Sequence, residues 1–148
     1  MIAVVQRVTG SNVEVDGKII SRISNGILVF LGVKKGDNEN NADFLSNKII
    51  NLRIFPDENG KMNLSVKDIE GEILVISQFT LCTDNSKSGN RPGFTLAEEP
   101  ERANELYEYI IGKMKNDYSE DRIFSGVFSA HMKINIINDG PVTIILEK

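Results

Sequence analysis

Ser77, Gln78, Phe79 and Thr80 follow an unbroken apolar run, Ile73-Leu74-Val75-Ile76, and put two hydroxyls and a primary amide where a core strand would ordinarily just end. Polar groups in that position are costly unless partnered, and no charge nearby in sequence obviously partners them. They can bond to neighbouring backbone, as at any strand end, or face a ligand. A nucleophilic Ser77 or Thr80 would need an adjacent base, and the only imidazole in the chain is His131. A lone histidine is more often a surface or satisfied core residue. There is no Gly-rich phosphate loop, no Cys or His pair at metal spacing and no Gly-x-Ser-x-Gly elbow. Neither metal nor cofactor is therefore expected. Residue types alone leave open whether the Ser-Gln-Phe-Thr group positions a ligand or reacts with it.

Such a group needs a rigid frame. Ile73 to Ile76 is too rich in branched residues for a surface helix and reads as a strand buried on both faces. Ile2 to Thr9 reads as a central or semi-buried strand, Asn12 to Ile20 as a hairpin turning at Asp16-Gly17, and Gly26 to Val33 as a third strong strand. Asp37 is placed to cap a helix from Asn38 to about Asn51, whose Phe44, Leu45, Ile49 and Leu52 fall close to helical spacing. Short strands are expected at Arg53 to Phe55 and around Met62 to Val66, on either side of the Pro56 to Gly60 turn.

Asp84 to Gly93 contains almost nothing that could enter a core and begins shortly after Thr80, so it reads as a long exposed flap over the candidate site. Pro100 opens a second helix through Ala103, Leu106, Tyr107, Ile110 and Met114, with Gly112 as its weak point. Tyr107 and Tyr109 suit core or boundary packing better than base stacking. Two final strands, Ile134 to Ile137 and Val142 to Leu146, are joined by Asn138-Asp139-Gly140-Pro141.

The 148 residues fit one domain, 1–148, and 41% hydrophobic with 26% charged residues is the balance of a soluble globular chain. A net charge of −4 argues against coating nucleic acid by bulk attraction and leaves room for a small local contact. Cys82 is the only cysteine, so an internal disulfide is excluded, and a small buried thiol is the expectation. Gln6 and Arg7 interrupt the first apolar residues, unlike a signal peptide. A cytoplasmic protein with no membrane partner is expected.

Two stretches carry more information together than apart. Ser77-Gln78-Phe79-Thr80-Leu81 and Asn138-Asp139-Gly140-Pro141-Val142-Thr143 resemble the two signature motifs of D-aminoacyl-tRNA deacylases. The opening Met1 to Val8, Arg53-Ile54-Phe55, Gly60-Lys61-Met62-Asn63-Leu64, and Arg91-Pro92 with Phe94 extend the similarity over nearly the whole chain. The relative specialised for glycine and mischarged tRNA in animals differs in the first motif.

The resemblance implies an α/β fold with a mixed, curved, barrel-like sheet and two main helices, assembled as a homodimer with its sites at the interface. It implies hydrolysis of the ester joining a D-amino acid, or glycine mischarged on alanine tRNA, to the terminal adenosine of tRNA, without metal or cofactor and with no DNA partner. By the same resemblance Ser77, Gln78, Phe79 and Thr80 are the catalytic group, facing Gly140-Pro141 of the other subunit across a cis peptide bond. Arg7 would steady that turn, Phe128 and Met132 would line the pocket, and Lys87 and Arg91 would meet phosphates. Left open are a non-catalytic nucleic-acid-binding protein of the same fold and a Thr80-dependent esterase.

Overall fold

The sheet is built along one strand, β1 (Ile2–Val15), that runs through Gly10 without a break. It is longer than the separate strand and hairpin the sequence suggests. The computed structural model describes residues 1–84 and 89–148. β1 turns at Asp16-Gly17, both at positive φ, into β2 (Lys18–Ile23), and β3 (Gly26–Gly32) follows. One edge of β1 pairs antiparallel with β3 over residues 2–8 and then with β2 over residues 11–15. Beyond β3 come β6 (Glu72–Ser77) and β7 (Ile123–Ser125), both parallel to their neighbours. The Ser21 hydroxyl donates to the Ser125 carbonyl at 2.6 Å, which brings β2 against β7 and nearly closes the sheet into a barrel.

Alternation along the central strands divides the core in two, because successive side chains of a strand point to opposite faces. Leu28, Leu74 and Ile76 join Val8, Val13 and Ile23 inside the barrel. Ile27, Val29, Ile73 and Val75 face outward under the two helices, α1 (Glu39–Ile50) and α2 (Pro100–Asp117). All of residues 73–76 are fully buried, as an uninterrupted apolar run between parallel neighbours should be. Gly26 is required where β3 passes β6, since a Cβ there would lie 1.9 Å from the Glu72 carbonyl oxygen.

Asn38, not Asp37, caps α1: its side chain accepts from Asn40 N–H at 3.0 Å, while Asn41 reaches back to Asn38 N–H at 3.0 Å. Asp37 is taken instead by the Lys34 N–H at 2.6 Å and the Met1 ammonium at 2.5 Å. α2 begins at Pro100 and continues through Gly112, where a side chain would meet open space. Tyr107 is buried in the core beneath α2, whereas Tyr109 is exposed and donates to Asp43 at 3.0 Å. A small ladder, β4 (Phe55–Pro56) with β5 (Met62–Leu64), lies apart from the main sheet.

The chain ends in β8 (Lys133–Glu147), which occupies the other edge of β1 along nearly its whole length. The sequence suggests two strands with a connection between them. The register shows one strand interrupted by a bulge: Asn138 pairs with Val8 and Thr143 with Gln6, so residues 139–142 loop out opposite Arg7. Asn138 closes the bulge, donating to the Val142 carbonyl at 3.2 Å and accepting from Val142 N–H at 3.0 Å. Without a side chain able to do both, the displaced backbone groups would lose their ladder partners.

Candidate active site

β6 delivers the Ser-Gln-Phe-Thr group to the end of the barrel. Its pairing with β3 is extended by Gln78 N–H donating to the Leu31 carbonyl at 2.8 Å, after which the chain turns into a short 3₁₀ helix, Phe79–Leu81. The first bonds of that turn run from Leu81 N–H to Gln78 and from Cys82 N–H to Phe79, at 3.2 and 2.9 Å. The N–H groups of Phe79 and Thr80 precede them and have no partner within the turn. Gln78 Nε2 donates to the Thr80 hydroxyl oxygen in a short hydrogen bond. Among the described residues no carboxylate or imidazole bonds Ser77 or Thr80.

A cleft of about 460 Å³ opens at this strand end. Ser77, Gln78 and Phe79 form one wall, and Phe128, His131 and Met132 form the facing wall. Phe79 projects 59% exposed and meets Phe94 edge-on at 5.1 Å, which joins the 3₁₀ turn to the far end of the loop after Asp84. Asp84 and Gly93 bridge that loop at its base, Asp84 N–H donating to the Gly93 carbonyl at 2.8 Å. Arg91 is exposed on the loop; the expected phosphate contact Lys87 lies outside the described residues. Cys82 is buried, and burial pushes its thiol up, which suits the packing role read from the sequence.

The second motif is not in this cleft. Gly140 and Pro141 belong to the bulge of β8, with Arg7 of β1 opposite it, and the Gly140-Pro141 peptide bond is cis. Arg7 Nε donates to the Asp139 carbonyl at 3.2 Å and lies 2.9 Å from its carboxylate, while another guanidinium nitrogen donates to the Ile54 carbonyl at 2.6 Å. Gly140 has φ +127°, and a Cβ there would sit 2.8 Å from Val142 Cγ2 and 3.0 Å from the Arg7 guanidinium. Only glycine fits. One chain thus brings Ser77, Gln78, Phe79, Phe128 and Met132 to a common cleft, with Thr80 at its edge, and holds the Gly-Pro turn elsewhere.

Sequence reasoning gave no place at the cleft to several residues around it. Ser129 sits in its wall at φ +61°, a conformation rare outside glycine. Tyr107 lines it from α2, and Gly126 packs directly behind Met132. Tyr107 reads as a packing residue of the helix's apolar stripe, and nothing in the sequence marked it for the cleft. Gly126 could have been noticed only as a glycine beside a short strand. Among the described residues no cluster of three His, Cys, Asp or Glu is placed to hold a metal ion, and no helix is long and apolar enough to cross a membrane.

These features define a class: a small mixed α/β protein with a nearly closed, barrel-like sheet and an open cleft at a strand end, where a Ser-Gln pair and a 3₁₀ turn supply one wall. A family model described as D-Tyr-tRNA(Tyr) deacylase matches residues 4–147, and the chain belongs to that family. It is 57% identical over 147 residues to a "D-aminoacyl-tRNA deacylase" of Persephonella marina, covering 99% of this chain and 97% of the other. A solved structure of a "c-Myc DNA Unwinding Element Binding Protein" superposes with a TM-score of 0.95 at 44% identity, over 100% of this chain and 99% of that one. A second, described as "Structural Analysis of a probable eukaryotic D-amino acid tRNA deacylase", shares the fold with a TM-score of 0.83 at 14% identity, covering 98% and 97%.

Proposed function

We propose that the protein is a homodimeric, cytoplasmic hydrolase that cleaves the ester of D-aminoacyl-tRNA, and of glycyl-tRNA mischarged on alanine tRNA, releasing the free amino acid and tRNA. The carrying observation is the division of the two motifs. The cleft at Ser77–Phe79 lacks the Gly140-Pro141 turn, and the turn is presented on an edge strand, away from the polar groups of its own chain's cleft. A second copy docking along β8 would supply the missing wall to each cleft. β8 is suited to such a contact: Ile136, Ile137 and Ile145 on it are 38%, 64% and 66% exposed, an apolar edge that a lone chain leaves open to further pairing.

In the assembled site the fixed backbone of Gly140-Pro141 accepts from the substrate's amino group and leaves no room for an L side chain, so chirality is policed by exclusion. Water adds to the ester carbon, assisted by the 2′-hydroxyl of the terminal adenosine, and the bond to the 3′-oxygen breaks. N–H groups at Phe79 and Thr80 stabilise the oxyanion. Phe128 and Met132 line the pocket, and Arg7 holds the turn.

The name of the 44%-identical relative, a DNA-element binding protein, favours a second reading, a nucleic-acid-binding protein without hydrolytic activity. A Thr80-dependent esterase is a third. Incubation with D-tyrosyl-tRNA and with a free D-tyrosine ester separates them, the outcomes being cleavage of the tRNA substrate only, of neither, or of both. Exclusion at the turn acts only on a Cβ, so glycyl-tRNA and D-alanyl-tRNA should be deacylated while L-alanyl-tRNA persists. Positive recognition of a D side chain would instead spare glycine, which forfeits burial of about 1.5–3 kcal/mol for a large apolar group. Glycyl-tRNA as resistant as L-alanyl-tRNA overturns steric exclusion.

A further inference from the structure

The two walls of the cleft leave the barrel on adjacent strands, the Ser77–Thr80 wall after β6 and the Phe128–Met132 wall after β7. Their pairing stops at Val75 opposite Ser125. Beyond that point the sheet no longer fixes one wall against the other. The Val75 carbonyl is where they are tied: it accepts Gly126 N–H at 3.0 Å and the Tyr107 hydroxyl at 2.8 Å. The Tyr107 ring also lies against Phe128, centroid to centroid 5.8 Å and tilted by 47°. Behind the same wall Gly126 lets Met132 approach so closely that a Cβ would stand 2.6 Å from its Sδ and 2.9 Å from Ile76 Cδ1.

Burial raises the Tyr107 phenol well above its ordinary value, and the facing backbone of Gly126 and Ser77 and the Ser125 hydroxyl offset this only in part. The hydroxyl therefore remains a neutral donor throughout the range in which an aminoacyl ester survives. Its neighbours come from both walls. Its hydroxyl bonds the Val75 carbonyl at the point where the two walls separate.

We propose that Tyr107 is a positioning residue for the cleft, clamping the Phe128–Met132 wall to the Ser77–Thr80 wall through the Val75 carbonyl and its ring contact with Phe128, and so setting the gap into which the substrate fits. This rests on the deacylase reading for its kinetic consequence and on geometry alone for its structural one. Tyr107→Phe keeps the ring and removes the hydroxyl. Loss of one buried hydrogen bond of this kind should raise KM for D-tyrosyl-tRNA about three- to tenfold. The kcat should stay within about twofold, because the 3₁₀ turn that carries the Phe79 and Thr80 N–H groups is tied to β3 by Gln78 N–H donating to the Leu31 carbonyl. Gly126→Ala approaches the same wall from behind, drives Met132 into the cleft and should raise KM in the same way.

Crystal structures of wild type and both variants supply a readout that needs no activity: the distance between Phe128 and Ser77 should change in each. A folded Tyr107→Phe protein with wild-type KM, or with loss confined to kcat, overturns the proposal. So does a wall that has not moved. A wild-type protein inert on D-tyrosyl-tRNA overturns the deacylase reading instead, and the crystallographic comparison still decides the clamp.

Discussion

Arg7→Met tests how firmly the Gly140-Pro141 turn is held. The substitution keeps an apolar stem of similar length and removes the guanidinium, which bonds the Asp139 and Ile54 carbonyls at 3.2 and 2.6 Å and pairs with the Asp139 carboxylate at 2.9 Å. Each hydrogen bond from a charged donor contributes about 1.5–3 kcal/mol. The ion pair adds about 0.5 kcal/mol at most, since Asp139 is 46% exposed and solvent screens it. Freeing the arginine returns about 2 kcal/mol of rotamer entropy, leaving a net loss of about 1–4.5 kcal/mol. For a chain of this size that lowers Tm by roughly 2–18 °C.

Lys133→Met is the control: its contact with Glu14 is 3.9 Å long and solvent-exposed, and its loss should cost about 0.5 kcal/mol or less. Arg7→Lys should rescue little, because an ammonium cannot fork between two carbonyls on different segments. Thermal melts and deacylation of D-tyrosyl-tRNA should be read together, with activity of the folded Arg7→Met protein down at least tenfold. Full activity at a depressed Tm would refute the positioning role, and an unchanged Tm would refute the energetic reasoning.

Thr80→Ala separates positioning from nucleophilic chemistry: a folded variant should keep measurable single-turnover cleavage, reduced about a hundredfold or less, and near-complete loss or a trapped acyl-enzyme would mean that Thr80 attacks. With a net charge of −4, affinity for tRNA should fall only shallowly with salt; a slope like that of a protein neutralising on the order of six phosphates would mean that contact extends well beyond the acceptor end.

Much of this architecture is written in local pattern. The run at residues 73–76, the helical spacing after Asn38, Pro100 at a helix start and Asp16-Gly17 at a turn each depend on neighbours in sequence, and each appears where that pattern places it. What escaped was decided by distant partners. Asp37 lost the cap because the Met1 ammonium and Lys34 N–H claim its carboxylate, leaving Asn38 to act. The last two strands are one because β1 supplies a continuous edge on both sides of the bulge, a fact of pairing that no local window contains. The two site motifs were visible as sequence, whereas Tyr107 and Gly126 were not: their place at the cleft follows from where β6 and β7 part.

The continuity of β1 also governs which parts of this chain can change length. Deleting or inserting one residue between Ile2 and Gln6, where alternation is strict, would exchange the faces of the side chains there and take Ala3 and Val5 out of the core, since alternation has a period of two. It would also move Arg7 out from under the bulge of β8 and shift pairing on both edges together. A compensating change in one neighbour could not restore the other. The β4–β5 turn at residues 57–61 answers to a single short ladder and can lengthen at little cost. Descent within this fold should therefore leave the spacing from Ile2 to Val8 constant while gaps accumulate at such turns.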